Sequence, residues 1–444
     1  MIKKNVVILG AGISGLTAAY YLSQSEKFNV SVIEKEKSAG GSASGFRHKD
    51  FILDYGPHKI YTELPGIIHE IGKVTPLIKI KKRNSIYIKG NYFDFPLKIS
   101  QVAVKIPFVA FNAGLDILFK PFTKRKDDSY ENYLLNRFGR TLYGLSFRDY
   151  ALKVWNSNPQ DLDRELARRR VAISGIFQLI KSVIFKDNKK ISAEYFYYPP
   201  NGMIQLIDLL MKEIRKNGGK IMLNADVSEI SVRNKTVDHM LVNGKKIRPD
   251  YLISTIPLDS LASIMRSKLN PRLAYQRLNI LYFILNRQRA LKDCWVFFPE
   301  KEFIFQRVSE QKAFSPYTSP ADRTAIMVET TREVNQELEN KIIMQLEKAG
   351  ILKKEEIDEH FIKSIEKAYP LYKKGFAEQL NPFVDYIDSL DNFYLLGRQG
   401  LFNYNNMDQC WDMALKVSEQ IKEGKTKEDW ALTKKYFDSY RIVD

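Results

Sequence analysis

The stretch "NVVILGAGISGLTAAYYLSQSEKFNVSVIEKE", residues 5–36, constrains the fold of this chain more than any other part of it. "VVIL" reads as a short buried strand that runs into Gly10, Gly12 and Gly15 in G-x-G-x-x-G spacing. "LTAAYYLSQ" reads as a helix, and "VSVIE" as a second strand ending at Glu34. A glycine loop alone says little. With a strand before it, a helix after it and an acid about twenty residues on, it predicts a dinucleotide-binding unit. Gly10 permits the tight turn, Gly12 lets backbone approach a pyrophosphate, and Gly15 lets helix pack closely on strand. The helix N-terminus, with Ser14 in its first turn, offers unpaired N–H groups to phosphate. Glu34 is placed to accept hydrogen bonds from an adenosine ribose, which argues against a 2′-phosphate there.

Six residues past Glu34 comes "GGSASG", Gly40 to Gly45. A second glycine patch beside the ribose site resembles the element found in FAD-dependent enzymes of the amine oxidase and protoporphyrinogen oxidase group. Those enzymes often carry arginine after the two glycines, where this chain has Ser42. The resemblance implies FAD as cofactor, with Gly40, Gly41 and Ser42 in its site. It also implies that the cofactor domain returns downstream. Residues 218–257 read as strand, strand, hairpin and strand, with Val227 in "ADVSEI" expected beside the adenine. "NFYLLGRQG", 392–400, reads as a strand ending at Gly397.

The expected architecture is therefore α/β. A Rossmann-like FAD-binding domain is assembled from residues 1–60, 196–257 and 386–424. Residues 61–195 form a mostly helical substrate or cap region, 258–385 a substrate domain containing a β-sheet, and 425–444 a C-terminal tail. The β-rich runs "LNILYFIL", "CWVFFPE", "FIFQRVSE" and "TAIMVET" lie in the substrate domain. No internal repeat or low-complexity linker separates these parts.

Charge bears on partners. The 69 Lys+Arg against 52 Asp+Glu leave a net +17, dispersed in runs such as "KIKKR", "KRK" and "ARRR". Such an excess favours anionic partners. No basic repeat or RNA-binding signature singles out nucleic acid, and none is expected. The two cysteines, Cys294 and Cys410, cannot form a multi-cysteine metal site. No metal is expected, and the reading is a reducing, cytoplasmic compartment. The first apolar run opens the glycine motif rather than a signal peptide. The longest other run, "IPFVAFNAGLDILFKPF" at 106–122, is interrupted by Asp116 and reads as a core helix pair. Its flanking lysines leave an interfacial contact with the inner face of a membrane open. A homodimer also stays open.

Five short motifs together resemble UDP-galactopyranose mutase and its relatives. They are "DYGPHKIYT", "YALKVWNSNPQDLDRELARRRVAI", "FIFQRVSEQKAF", "KAYPLY" and "LLGRQGLFNYNNMDQ", in that family's order across nearly the whole chain. The resemblance implies that Gly56, Pro57 and His58 form a turn against the flavin ring, with His58 near its reactive edge. Arg169, Arg307 and Arg398 fall on the family's arginine positions, where a nucleotide diphosphate is held; Arg168 or Arg170 could take the place of Arg169. Tyr369 and Tyr404 fall on its tyrosine positions. Gly397, Arg398 and Met407 belong to the flavin-facing ending. Where the family carries an acid two residues after the tyrosine, this chain has Asn406, and the preceding aromatic is Phe402. Both differences fall on the sugar-facing side. The implied reaction interconverts pyranose and furanose forms of a nucleotide-linked sugar, with reduced flavin as nucleophile. The alternative is an FAD-dependent oxidoreductase of the amine oxidase or protoporphyrinogen oxidase type. An amine oxidase ending usually has an acid after the glycine, and this chain has Arg398.

Overall fold

The computed structural model describes residues 2–95, 98–119, 124–170 and 194–442. Its first sheet has five parallel strands, in the order Phe393–Leu395, Tyr251–Ser254, Lys4–Leu9, Phe28–Ile33 and Lys220–Met222. Three separated stretches of chain thus meet in one sheet. The helix Ile13–Ser23 crosses between the first two strands in sequence and is buried almost all round. It lies under the helices Gly202–Lys216 and Met407–Glu423. A Cβ at Gly15 would come 2.0 Å from the Gly10 carbonyl oxygen, so only glycine allows this helix to sit so close to the strand end. Gly10 itself has φ +95, a backbone state that side chains other than glycine rarely adopt.

The second sheet has seven strands. Their order is Ile357–Leu371, Ala274–Leu285, Thr324–Thr330, Arg307–Glu310, Trp295–Phe297, Asn84–Ile88 and Asn91–Asp94. All neighbours are antiparallel except Trp295–Phe297 beside Asn84–Ile88. Thr324–Thr330 is buried along its whole length, because a strand covered on both faces reads as one apolar run. A separate three-stranded antiparallel sheet, Val227–Arg233, Thr236–Val242 and Lys245–Ile247, is inserted in the chain between Lys220–Met222 and Tyr251–Ser254.

Asp54 joins the two halves. It ends the hairpin of Gly45–His48 with Phe51–Asp54. Its carboxylate accepts from the Tyr198 hydroxyl at 2.5 Å and from the Met203 N–H at 3.0 Å. Its backbone carbonyl accepts from the Tyr282 hydroxyl at 2.7 Å, on the seven-stranded sheet. Burial pushes its carboxyl up to about 7.

Several expectations are corrected. The described part of 61–195 contains strands as well as the expected helices. Ile78–Lys81 pairs with Tyr195–Tyr198, and Asn84–Ile88 and Asn91–Asp94 complete the seven-stranded sheet. The lysine clusters around 79–83 mask that alternation. The long strand Ile357–Leu371 is an edge strand whose solvent-facing charges hide it in the sequence. Residues 106–122 were expected to be a core helix pair. Among the described residues that run forms one helix, Pro107–Phe119, preceded by the helix Ile99–Lys105 outside it, and one side of Pro107–Phe119 faces solvent. Residues 120–122 of that run and 171–173 of the arginine-rich motif lie outside the described residues. Among the described residues no helix is long and apolar enough to cross a membrane, and no cluster of three or more potential metal ligands occurs.

The segment expected as a tail is instead part of the core. Helix Lys427–Phe437 buries Trp430 edge-on to Tyr394 at 5.4 Å and to Phe437 at 5.8 Å. Lys427 Nζ donates to the Phe393 carbonyl at 2.6 Å, on the edge strand of the nucleotide sheet. Trp430→Ala should lower unfolding free energy by about 3–5 kcal/mol, the cost of an emptied aromatic site. A denaturant midpoint unchanged from the parent would show that the last helix is dispensable.

Candidate functional site

The glycine loop and its neighbours build a dinucleotide cradle. A Cβ at Gly12 would meet no atom within 4 Å, so the loop borders open space. Gly40 N–H donates to the Ala11 carbonyl at 2.7 Å, and Gly12 and Gly40 form an isolated bridge. Gly41 opens the short turn Gly41–Ala43, with Ser42 inside it. Glu34 Oε2 accepts from the Ala11 N–H at 2.8 Å and Oε1 from the Glu36 N–H at 3.0 Å. Its carboxylate therefore sits at the strand end beside the loop, where a ribose edge would come. The Ala225 N–H donates to the Glu34 carbonyl at 2.9 Å, which brings the segment leading to Val227 against the same place. Ser14 abuts Gly397: a Cβ there would meet Ser14 Oγ at 2.4 Å. These residues fit FAD: a loop with room for pyrophosphate, an acid at the ribose position and a helix N-terminus between them.

From Gly397 the chain enters a cleft between the two sheets. His58, Arg307, Tyr369, Arg398, Tyr404, Asn406 and Met407 all line it, together with Gly56 and Pro57. Arg398 is fixed by backbone: Nε and Nη2 donate to the Asn405 carbonyl at 3.0 and 2.6 Å. Its guanidinium lies 5.2 Å from the Tyr369 ring and 5.6 Å from the Tyr404 ring. Those rings stack at 5.4 Å, with Trp155 edge-on to both. Asn406 caps the helix Met407–Glu423; its N–H donates to Gln409 Oε1 at 3.0 Å.

Arg307 makes a two-point ion pair with Glu329, Nη2 to Oε1 at 2.9 Å and Nε to Oε2. Burial opposes the guanidinium charge, but the Glu329 carboxylate overrides it and holds the proton more firmly than usual. Gly56 lies on this pair. With φ +92, a Cβ there would stand 3.0 Å from Glu329 Oε1. The Gly-Pro-His turn can press against the acid because Gly56 has no side chain. His58 Nδ1 is buried without a hydrogen-bond partner. Burial, then the positive charges of Arg398 and Arg307, push the imidazole down to about 3. His58 is therefore neutral at ordinary pH, with one ring nitrogen unsatisfied.

Arg169 does not reach the cleft. On helix Arg164–Arg170 it turns inward, where Nε donates to Glu165 at 2.6 Å and Nη1 to Asn403. Arg170 lines the cleft instead, 5.3 Å from the Trp155 ring and 5.2 Å from Tyr404. One residue along a helix rotates a side chain by about 100°, so a run of three arginines does not reveal which one faces inward. Sequence reasoning missed Glu329 and Trp155. A lone acid in the apolar run "TAIMVET" was the available signal for Glu329, since an unpaired carboxylate is almost never fully buried.

Comparison with known proteins now becomes informative. The pattern of the family "Flavin containing amine oxidoreductase" matches residues 13–418. The chain belongs to that family. A protein of Klebsiella pneumoniae described as "Probable UDP-galactopyranose mutase" is 22% identical over 431 residues, covering 95% of each chain. The coproporphyrinogen III oxidase of Staphylococcus aureus is 25% identical over 52% of this chain and 56% of its own length. The solved structure of reduced UDP-galactopyranose mutase superposes with a TM-score of 0.81, at 18% identity, over 99% of this chain and 100% of that one. That last likeness is one of fold. The chain is a flavoenzyme and FAD is its cofactor.

Two outcomes follow from this geometry. Gly12→Val fills the open side of the loop, so the purified variant should lack flavin absorbance and regain none when incubated with FAD. A variant as yellow as the parent would mean that the pyrophosphate binds elsewhere. For His58, NMR titration of the ring from about pH 8 to about pH 5 should show no protonation, against the ordinary value near 6.5. A midpoint near that ordinary value, lost in His58→Gln, would show that the ring is neither buried nor held beside the two arginines.

Proposed function

We propose that this flavoenzyme acts on a nucleotide-linked sugar, by pyranose/furanose isomerisation of the UDP-galactopyranose mutase type, in polysaccharide biosynthesis. The observation that carries the reading is the charge of the cleft. Arg170, Arg307 and Arg398 line it with Lys59, and among the described residues Glu329 is the one carboxylate that lines it. Glu329 is already paired with Arg307. A diphosphate needs fixed, always-charged donors, and a guanidinium offers a planar fork for phosphate oxygens. The backbone carbonyl of Asn405 and the carboxylate of Glu329 hold Arg398 and Arg307 ready, so little side-chain freedom is lost on binding. The stacked Tyr369 and Tyr404 supply a flat wall with hydroxyl tips.

Reduced flavin supplies the nucleophile for the anomeric carbon in such a reaction. The chain's own residues hold the leaving nucleotide close for its return, which is a positioning role. His58 stays neutral and can exchange one hydrogen bond at Nδ1 without carrying charge to the ring. Asn406 offers an amide where the resembled family carries an acid. Both cysteines are free and buried, in keeping with a cytoplasmic enzyme. A second reading, an oxidoreductase on a polycarboxylate, is supported by the coproporphyrinogen oxidase relative, because the same cations would receive carboxylates.

The test is a panel of nucleotide sugars offered to oxidised and to dithionite-reduced protein. Isomerisation should occur only with reduced protein and should consume no stoichiometric reductant. Arg398→Ala should weaken nucleoside diphosphate binding about ten- to a hundredfold, as for loss of one charge-assisted contact, with flavin content intact. Arg307→Lys should weaken it less, keeping charge but losing the fork. Steady oxygen uptake with a porphyrinogen, and no nucleotide affinity in the parent, would favour the oxidoreductase.

A further inference from the structure

We propose that the helix pair Ile99–Lys105 and Pro107–Phe119 docks this protein on an anionic lipid surface. The inference is independent of the reaction. Val104, Phe108, Phe111, Leu115 and Phe119 are 81%, 75%, 64%, 37% and 59% exposed. Phe108, Phe111, Leu115 and Phe119, three, four and four residues apart, share one side of the second helix, and Val104 is exposed near the end of the first, across the non-helical Ile106. The opposite side is an ordinary buried face. Val102, Ile106 and Val109 pack on Ile86, Ile88 and Phe93 of the seven-stranded sheet. The helices are thus anchored to the fold by one face and offer water a second apolar one. Single exposed apolar residues need no explanation, but a row of four along one helix does.

The charge around the stripe selects the occupant. Lys105 ends the first helix, and Lys124, Arg125 and Lys126 begin five residues beyond Phe119 in the sequence, all exposed. Of the acids in this stretch, Asp94 pairs with Lys98 at 2.5 Å and Asp127 with Arg137 at 3.4 Å, while Asp116 accepts from the Thr141 N–H at 2.6 Å and Asp128 from the Asn132 side-chain amide at 3.1 Å. The chain as a whole carries +17. An apolar stripe flanked in sequence by basic residues matches the acyl boundary and headgroups of an anionic bilayer, where nearby Lys and Arg add to the attraction. One line of four side chains is a strip rather than the broad patch that a stable dimer buries. The stripe inserts shallowly and does not span.

Flavin-loaded full-length protein is mixed with phosphatidylcholine vesicles, with and without phosphatidylglycerol, and sedimented. Binding should appear with the anionic vesicles, weaken in high salt, and fall about tenfold or more in Phe108→Ser/Phe111→Ser. That variant should keep the parent's flavin spectrum and melting temperature, since both side chains are already in water. Lys124→Ala/Arg125→Ala/Lys126→Ala should lose the anionic preference while leaving the stripe intact. Absence of vesicle binding by the parent overturns the proposal, as does undiminished binding by the phenylalanine variant. If the parent sediments as a dimer in solution and the phenylalanine variant as a monomer, a second copy covers the stripe and the lipid assignment is wrong.

Discussion

The geometry of the cleft depends on one buried carboxyl. Asp54 receives hydrogen bonds from a strand residue, Tyr198, and from the first turn of the helix Gly202–Lys216. Its own N–H donates to Gln311 Oε1 at 3.3 Å, and Gln311 Nε2 donates to the Tyr198 hydroxyl at 2.6 Å. Tyr282 reaches its carbonyl from the other sheet. Both halves of the molecule are thus tied to one residue, two positions before Gly56. Where Asp54 sits, the Gly-Pro-His turn must follow, and with it the wall that presses on Glu329. A buried polar network of this kind is costly when partly satisfied and specifying when complete.

That coupling explains why the site draws on so many separate stretches. Gly56 and His58 come from the turn, Arg307 and Glu329 from neighbouring strands of the seven-stranded sheet, and Arg398 and Asn406 from the return to the nucleotide sheet. Arg307 and Glu329 are paired in register, so their ion pair is a cross-strand contact built into the sheet. Arg398, by contrast, is held by a loop carbonyl. The cleft therefore has one rigid cation set by strands and one set by the approach to the helix Met407–Glu423.

Much of this was legible in the sequence for physical reasons. The glycine loop announces itself because helix and strand can approach so closely only without side chains, and Glu34 stands where that loop requires an acid. The parallel strand near 252 was readable from its apolar run, though not its place beside the first strand, which depends on contacts far apart in the chain. The edge strand Ile357–Leu371 was not legible, since its outward positions carry charges and its pattern mimics a surface helix. Arg169 and Arg170 show the same limit at finer scale: both are arginines on one helix, and only packing decides which meets the cleft. Glu329 was hidden in the opposite way, by apolar neighbours that suggest nothing but core.

Asp54 and His58, four residues apart, have a joint consequence for proton exchange. In the unfolded chain at about pH 5 the first is a carboxylate and the second an imidazolium. Folding raises Asp54 from 3.8 to about 7 and lowers His58 from 6.5 to about 3. Taken alone, Asp54 makes the folded chain bind the extra proton, so stability falls as pH rises through its window. His58 alone makes the folded chain release one, so stability falls as pH drops through its own. The windows overlap from about pH 4 to about pH 6.5, where one proton is taken up as the other is given off. The segment enters the core as a neutral acid and a neutral base, and the two slopes cancel. Acid tolerance in that range is then set by the rest of the molecule.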